Sequence, residues 1–451
     1  MTSHQPIRTA LIGLGIAGSG FHTPLILSLP ELFVLCFVVD VDTSPHRPGS
    51  ANDASFAAKF GANTKFTSNY NSVLADQGIE LIVIATPTNT HFEFAKAALG
   101  AGKHVLLDKP VTTTHNEAKI LGQLAEERGR IIYAFQNRRW DSDFLTVQRL
   151  IREGILGDIT DFESHYDRYR DYLKGTWKEQ AVPGGGQFYS LGPHLIDQAL
   201  HCFGRPTSVT GFIQNIRGTG DLSVDDDFTV ILHYARTDKR PTVLTAILRG
   251  HLLSLRKNQL RYSIRGSHGT FSKYGIDPQE EQLKQHGAAA FALSDFAIES
   301  PDIWGTLETI STPPSSSASS TSGDDNGSES SAQTGNNHSS GSIVSIPIES
   351  ERGRYQDLYM NLFATIRTNA TPAIQWSEAE LTMLITELAI QSSKEGRTVQ
   401  VPPADAVPLL KETSMDSSST RKATTSPRRL GWSLFRSSVH RKGDTESTRM
   451  A

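Results

Sequence analysis

Gly13, Gly15 and Gly18 stand in the spacing G-x-G-x-x-G, at the end of the apolar run 7–13 and at the start of a helix-like stretch opened by Ile16 and Ala17. Each glycine has its own use in such a loop. Gly13 makes a tight turn, Gly15 lets backbone N–H groups approach a pyrophosphate, and Gly18 allows close helix–strand packing. The phosphates of a dinucleotide then rest on the helix N-terminus. A second apolar run ends in Asp40, 22 residues after Gly18, where a carboxylate accepts hydrogen bonds from the adenosine ribose. Asp40 favours NAD. Thr43, Ser44 and Arg47 follow closely enough to hold the extra phosphate of NADP, so the cofactor is read as NAD or NADP, with NAD preferred.

The other residues able to do chemistry lie at strand ends and on one helix. Lys109, within Asp108-Lys109-Pro110, closes the apolar run 103–110. Open α/β sheets bind ligands outside the carboxyl ends of their strands, and a cation there can polarise a carbonyl or stabilise a developing alkoxide. Ser190, His194 and Asp197 fall at i, i+4 and i+7 of a predicted helix and so share one face. Removing a hydride from a secondary alcohol also requires its hydroxyl proton to leave, and a histidine titrating near neutral pH suits that transfer. Thr86, Pro87, Thr88, Asn89 and His91 follow another apolar run, and Gln136 and Asn137 follow the run 130–135. Together with Asp108 they are placed to border the cofactor. Arg138 and Arg139 come next, able either to bind hydroxyls or to form interdomain ion pairs. Tyr166, Arg168, Tyr169 and Arg170 lie on a predicted strand, one alternating pair facing the site. No Cys/His spacing suggests a metal centre.

The elements that must position these residues change character along the chain. Apolar runs at 7–13, 31–40, 81–87, 103–110 and 130–135 alternate with helical stretches such as 91–102 and 115–129. Continuous Val/Ile/Leu runs suit strands buried on both faces, and the alternation predicts a doubly wound parallel sheet over 5–135. From about residue 160 strand-like segments dominate, with helices near 187–202, 355–369 and 377–394. They predict an α/β domain over 136–402 with a largely antiparallel open sheet. Residues 311–341 contain no Val, Ile, Leu, Phe, Tyr or Trp, and 411–451 are rich in Ser and Thr, with nine Lys and Arg against four Asp and Glu. Both are expected to be disordered, the first as an insert and the second as a basic tail.

Composition removes several classes of function. The chain carries 44 Lys and Arg against 48 Asp and Glu, which lacks the basic excess that wrapping nucleic acid requires. No apolar run approaches the ~20 residues of a membrane span. Cys36 and Cys202 cannot make a disulfide framework, so a reducing, cytoplasmic setting is expected.

The segments GLGIAGSGFHTPLI (13–26), ATPTNTHF (85–92), AGKHVLLDKPVT (101–112), QNRRWDSDF (136–144) and GGGQFYSLGPHLIDQAL (184–200) together resemble the Gfo/Idh/MocA oxidoreductases. The F-H-x-P-L-I extension of the glycine loop is similar to the branch holding an NADP-linked scyllo-inositol 2-dehydrogenase. The resemblance implies a Rossmann domain, a C-terminal sheet that often forms a homo-oligomer, and hydride transfer between NAD(P) and a small polyol, sugar or related cyclic alcohol. It implies that Lys109 and His194 are catalytic and that Asp197 meets substrate; Ser190, Arg138 and Tyr166 are further substrate-binding candidates from their positions. The family's Glu-Lys-Pro reads Asp108-Lys109-Pro110 here, Thr88 stands where relatives often have asparagine, and Ser190 replaces an aspartate. The last change also admits a catalytically impaired dinucleotide-binding regulator of the same fold.

Overall fold

The computed structural model describes residues 5–41, 60–61, 63–311 and 341–404. Six strands form the first sheet: β1 (Ile7–Ile12), β2 (Phe33–Val39), β3 (Lys65–Thr67), β4 (Leu81–Ile84), β5 (His104–Asp108) and β6 (Ile132–Phe135). All pair in parallel, in the order β3-β2-β1-β4-β5-β6. That order reverses between β1 and β4, which opens a crevice at their carboxyl ends. Every residue of β4 and β6 is buried, as continuous apolar runs require when helices cover both faces. The helix His115–Glu127 begins with a capping box, Thr114 and Glu117 each accepting from the other's backbone N–H.

The second sheet has nine strands. β7 (Ile159–His165), β8 (Ser208–Gln214), β9 (Asp227–Tyr234), β10 (Leu244–His251), β11 (Leu260–Gly266) and β12 (Gly269–Tyr274) are joined by β13 (Gly305–Ile310), β14 (Ile343–Ile348) and β15 (Val399–Gln400). Their order is β14-β13-β12-β11-β7-β10-β9-β8-β15, antiparallel throughout except where β10 runs parallel to β7. Burial alternates along β9 and β10, so one face packs on the helices Gly186–Phe203 and Trp376–Glu395 while the other carries the remaining side chains. The fold is therefore α/β, a Rossmann sheet beside a mixed, mostly antiparallel one.

The two sheets do not divide the core at a single point in the sequence. Leu283, Phe296, Tyr355, Leu358, Tyr359, Leu362 and Met383 are buried with the residues of the parallel sheet. The helix Gln356–Thr368 thus returns to cover a sheet built 220 residues earlier; Tyr133 donates to Asn361 Oδ1 at 2.8 Å and Arg367 pairs with Glu80 at 2.6 Å. Residues 312–340, within the anticipated insert, and the anticipated tail 411–451 lie outside the described residues, as do Thr43, Ser44 and Arg47. β13 and β14, which flank the insert, are antiparallel neighbours. Among the described residues no helix is long and apolar enough to cross a membrane.

Candidate active site

The glycine loop is built as a cradle for backbone contacts. Gly13 has φ +96°, and a Cβ there would stand 2.7 Å from the Ala85 carbonyl oxygen; a Cβ on Gly18 would stand 2.0 Å from the Gly13 carbonyl oxygen. Neither position admits a side chain without moving backbone. Gly15 differs, since nothing lies within 4 Å of where its Cβ would be. Open space in front of that glycine, beside an Ile16 side chain left 72% exposed, fits a pyrophosphate approaching backbone N–H groups with an apolar neighbour. Ala17 continues into a π-helical turn, Gly18–His22. Asp40 follows β2, its Oδ2 accepting from the Leu14 N–H at 2.8 Å, so the carboxylate also fixes the loop. At the end of β6, Gln136 Oε1 is buried without a hydrogen-bond partner and Asn137 is buried next to it. An unpaired buried amide oxygen is costly, and it fits the carboxamide end of a nicotinamide. These residues would hold the cofactor, with Thr86, Pro87 and Thr88 at the end of β4 and Asp108 at the end of β5.

His91 is a correction to the sequence reading. Its ring is fully enclosed, with Nε2 2.8 Å from the Thr86 carbonyl and Nδ1 3.0 Å from the Pro110 carbonyl. Burial, the largest influence, holds its pKa below the ordinary value. It ties the loops after β4 and β5 together and offers neither nitrogen to a cofactor.

Lys109 and His194 converge from the parallel sheet and from the helix Gly186–Phe203. Lys109 follows β5, and its Nζ donates to the Ser190 carbonyl at 2.6 Å. The acceptor lies in the helix Gly186–Phe203, whose interior Pro193 lacks the N–H that would reach the neighbouring Tyr189 carbonyl. Gly186 (φ +92°) starts that helix where a Cβ would meet the Asp225 carboxylate, and Asp225 Oδ2 accepts from the Phe188 N–H at 2.6 Å. Burial draws the Lys109 ammonium down to about 7, reinforced by the Lys178 charge and opposed by Asp108. His194 is buried and its Nδ1 has no partner. Burial, and then the charges of Lys109, Arg138, Arg261 and Lys178, hold it well below the usual imidazole value, so it is neutral at pH 7. Ser190 is half-buried one turn before it.

Three further site candidates are occupied by internal pairing. Asp197 receives both nitrogens of a fork from Arg139, at 2.8 and 2.7 Å, and Arg139 also reaches Glu378. Arg138 pairs with Asp141 at 3.0 Å and Glu280 at 2.7 Å. The Tyr166 hydroxyl lies between Asp141 Oδ2 and Arg261 Nη2, its ring stacked on both guanidiniums. Buried charges need partners, and these residues supply them for one another. In the structure these groups pair with Arg139, Asp141, Glu280 and Arg261 around the buried His194. Of the arginine alternatives left open by the sequence, ion pairing is the one observed.

The sequence reading missed the rest of this network. Arg261, fully buried on β11, pairs with Asp143 at 3.0 Å and donates to Ser164 and Gln198. Alternation along LRYSIRG groups Arg261 with Ser263 and Arg265, and the register shift between Leu260 and Tyr262 left its burial without a sequence signal. Glu280 and Lys178 gave none, being charged residues in polar segments.

The parallel order, the glycine cradle and a lysine–histidine cleft at the strand ends define a dinucleotide-dependent oxidoreductase of two packed sheets. Residues 7–136 match the family model described as oxidoreductase family, NAD-binding Rossmann fold, and residues 144–272 match the GFO/IDH/MocA C-terminal domain. The chain is 35% identical over 399 residues to the uncharacterized oxidoreductase C115.03 of Schizosaccharomyces pombe, covering 88% of this chain and 100% of that one. It is 31% identical to the scyllo-inositol 2-dehydrogenase (NADP(+)) IolW of Bacillus subtilis, covering 88% and 96%. The solved structure of the Bacillus subtilis oxidoreductase YvaA superposes with a TM-score of 0.74 at 30% identity, over 89% of this chain and 99% of that one. The chain belongs to the Gfo/Idh/MocA family and is an NAD(P)-binding oxidoreductase.

Proposed function

We propose that this protein interconverts a secondary alcohol and a ketone on a polyol, sugar or related cyclic compound, with Lys109 as the proton-transfer group. The observation that carries the reading is the Lys109 ammonium held 2.6 Å from the Ser190 carbonyl, one helical turn from His194, where burial lowers its pKa to about 7. A group titrating near the working pH is the most effective general acid–base. Neutral Lys109 accepts the hydroxyl proton during oxidation, and its ammonium returns it to the oxygen during reduction. A nicotinamide held at Gln136 and the glycine loop would supply or receive the hydride. The spacing of the helix suggests His194 for that proton; the surrounding cations support a neutral imidazole that hydrogen-bonds and orients the reacting oxygen instead. Asp197 and Arg139 position the helix that bears His194. Asp40 supports NAD, while the relative IolW is named for NADP(+); fluorescence titration with NADH and NADPH decides between them.

A second reading, a dinucleotide-binding regulator with impaired chemistry, is favoured by Ser190, which cannot supply the charge of the family's aspartate. Screening purified protein against polyols and sugars with both dinucleotides, following absorbance of the reduced nicotinamide, separates the two. Turnover that is abolished by Lys109→Ala supports the enzyme. Tight dinucleotide binding without turnover on any substrate supports the regulator.

A further inference from the structure

The extension F-H-x-P-L-I after the glycine loop has no part in the site described so far. Gly18–His22 forms a π-helical turn, closed by the Thr23 N–H donating to the Gly18 carbonyl, which also accepts from the Thr23 hydroxyl at 2.8 Å. A π turn holds one residue more than an α turn and is a frequent mark of functional sites. Here it ends on His22, which is fully buried. The His22 Nδ1 lies 2.7 Å from the Tyr359 hydroxyl, whereas Nε2 is buried with no hydrogen-bond partner. The place of the ring proton follows from that pair. A tyrosine hydroxyl always has a hydrogen to give, and that of Tyr359 has no other acceptor among the described residues. Were the ring proton on Nδ1, it would point at the tyrosine oxygen and leave both the hydroxyl hydrogen and Nε2 unpaired. Tyr359 therefore donates to Nδ1, and the ring carries its proton on Nε2. Burial, the largest influence, draws the His22 pKa down to about 4, so at pH 7 the ring is neutral and holds that single proton.

An enclosed N–H without an acceptor is costly, and the nearest strand end offers one. The His22 ring stacks on Phe135, with centroids 4.1 Å apart. Phe135 on β6 is the register partner of Asp108 on β5, and register partners on neighbouring strands project to the same face of a sheet. The Asp108 side chain therefore projects to the face on which His22 and Tyr359 pack. Its charge acts on both, favouring protonation of His22 and disfavouring ionisation of Tyr359. Asp108 Oδ1 accepts from the Lys109 N–H at 2.8 Å, and a carboxylate has lone pairs on both oxygens for further donors. We propose that His22 is a positioning residue of the cofactor site: its Nε2–H, fixed in that tautomer by Tyr359, holds the Asp108 carboxylate so that it accepts from the hydroxyls of the nicotinamide ribose. Asp108 stands at the carboxyl end of a parallel strand, where an open α/β sheet receives its ligand. The assignment concerns the nicotinamide end of the cofactor and holds whichever substrate the site takes.

The test compares dissociation constants of NADH, NADPH and ADP for the full chain by isothermal titration. ADP shares the adenosine and the pyrophosphate but has no nicotinamide ribose. His22→Leu removes the donor and should weaken the preferred dinucleotide about tenfold, the loss expected of one hydrogen bond to a charged group, with ADP affinity unchanged. His22→Gln, whose side-chain amide can place an N–H close to the position of Nε2, should keep the parent's affinity. In an Asp108→Ala background His22→Leu should cost nothing further, since the two residues act as a pair. Equal losses for ADP and the dinucleotide make His22 a mere support of the glycine loop and overturn the assignment. So do unchanged dinucleotide affinity in His22→Leu, additive losses in the double variant, and a parent that binds neither NADH nor NADPH. The unmodified protein gives a second measurement that stands if His22→Leu does not fold: the imidazole nitrogen resonances of His22, assigned by their absence from His22→Gln. They should show a protonated Nε2 and a bare Nδ1. The Nε2–H proton should move downfield when the dinucleotide closes the site around a charge-assisted bond, and stay in place with ADP. A proton on Nδ1, or an Nε2–H resonance that the dinucleotide does not move, overturns the assignment.

Discussion

The two halves of the site are made of different material. The cofactor cradle consists of backbone: three glycines within six residues, a helix start and one carboxylate at a neighbouring strand end. The cleft around Lys109 consists of side chains delivered from distant segments, with Arg138 pairing to Glu280 and Arg261 to Asp143 across more than a hundred residues. The cradle works by leaving space, the cleft by filling an interior with charge and satisfying nearly all of it. A backbone site is specified locally, whereas a charged interior is specified only once the fold has brought the partners together. The first should fail by steric intrusion, the second by uncompensated charge.

The largest effect expected from that contrast is on stability. Arg261→Met leaves Asp143 buried and removes donors from Ser164 and Gln198, and breaking a buried pair costs about 3–5 kcal/mol. Chemical denaturation should show the loss as a lower midpoint. A change under 1 kcal/mol would mean that the cleft wall does not depend on pairing. Next comes turnover. Lys109→Ala should lower kcat by roughly 10²–10⁴, the range for removing a positioned general acid–base, with dinucleotide affinity kept. Equal kcat in the variant would take proton transfer away from Lys109.

That division also explains what the sequence could reveal. The five longer strands of the parallel sheet were legible because burial on both faces writes them as apolar runs. β3 was not, since Lys65–Thr67 is three residues at a sheet edge. The helix Gln279–His286 was hidden in the polar string QEEQLKQH, and with it Glu280. At the site, Gly13, Gly18, Lys109 and His194 stood out through local spacing. Asp197, Arg138 and Tyr166 were visible as chemical groups but not as partners of Arg139, Asp141 and Arg261. Partner choice is a tertiary property, and a lone carboxylate in a sequence looks equally ready for a substrate or an arginine.

A smaller effect separates cradle from cleft directly. Gly18→Ala places a methyl group 2.0 Å from the Gly13 carbonyl oxygen, and overpacking of this kind costs about 1–3 kcal/mol. Because the strain falls on the turn that meets the dinucleotide, isothermal titration should show weaker NADH and NADPH binding. The Lys109 pH dependence should survive in whatever activity remains. A shifted pH profile with unchanged cofactor affinity would contradict the separation of the two halves.

The smallest expected effect tests the charge logic of the cleft itself. Lys109 titrates at about 7 because burial and neighbouring cations disfavour its ammonium. Alcohol oxidation needs the neutral amine, so its rate should rise with pH through about 7 and level off above it, whereas ketone reduction should fall over the same interval. Ser190→Asp adds a carboxylate one helical turn before His194, on the residue whose carbonyl already receives Lys109 Nζ at 2.6 Å. An anion that close favours the ammonium and raises a lysine pKa by about one unit or more. The rise of the oxidation profile should therefore move to higher pH, and the imidazole of His194 should become easier to protonate. Turnover at the new plateau should equal or exceed that of the parent, since the carboxylate also gives His194 a charged partner. A profile that stays at about 7 in Ser190→Asp would show that this helix position does not face the titrating lysine.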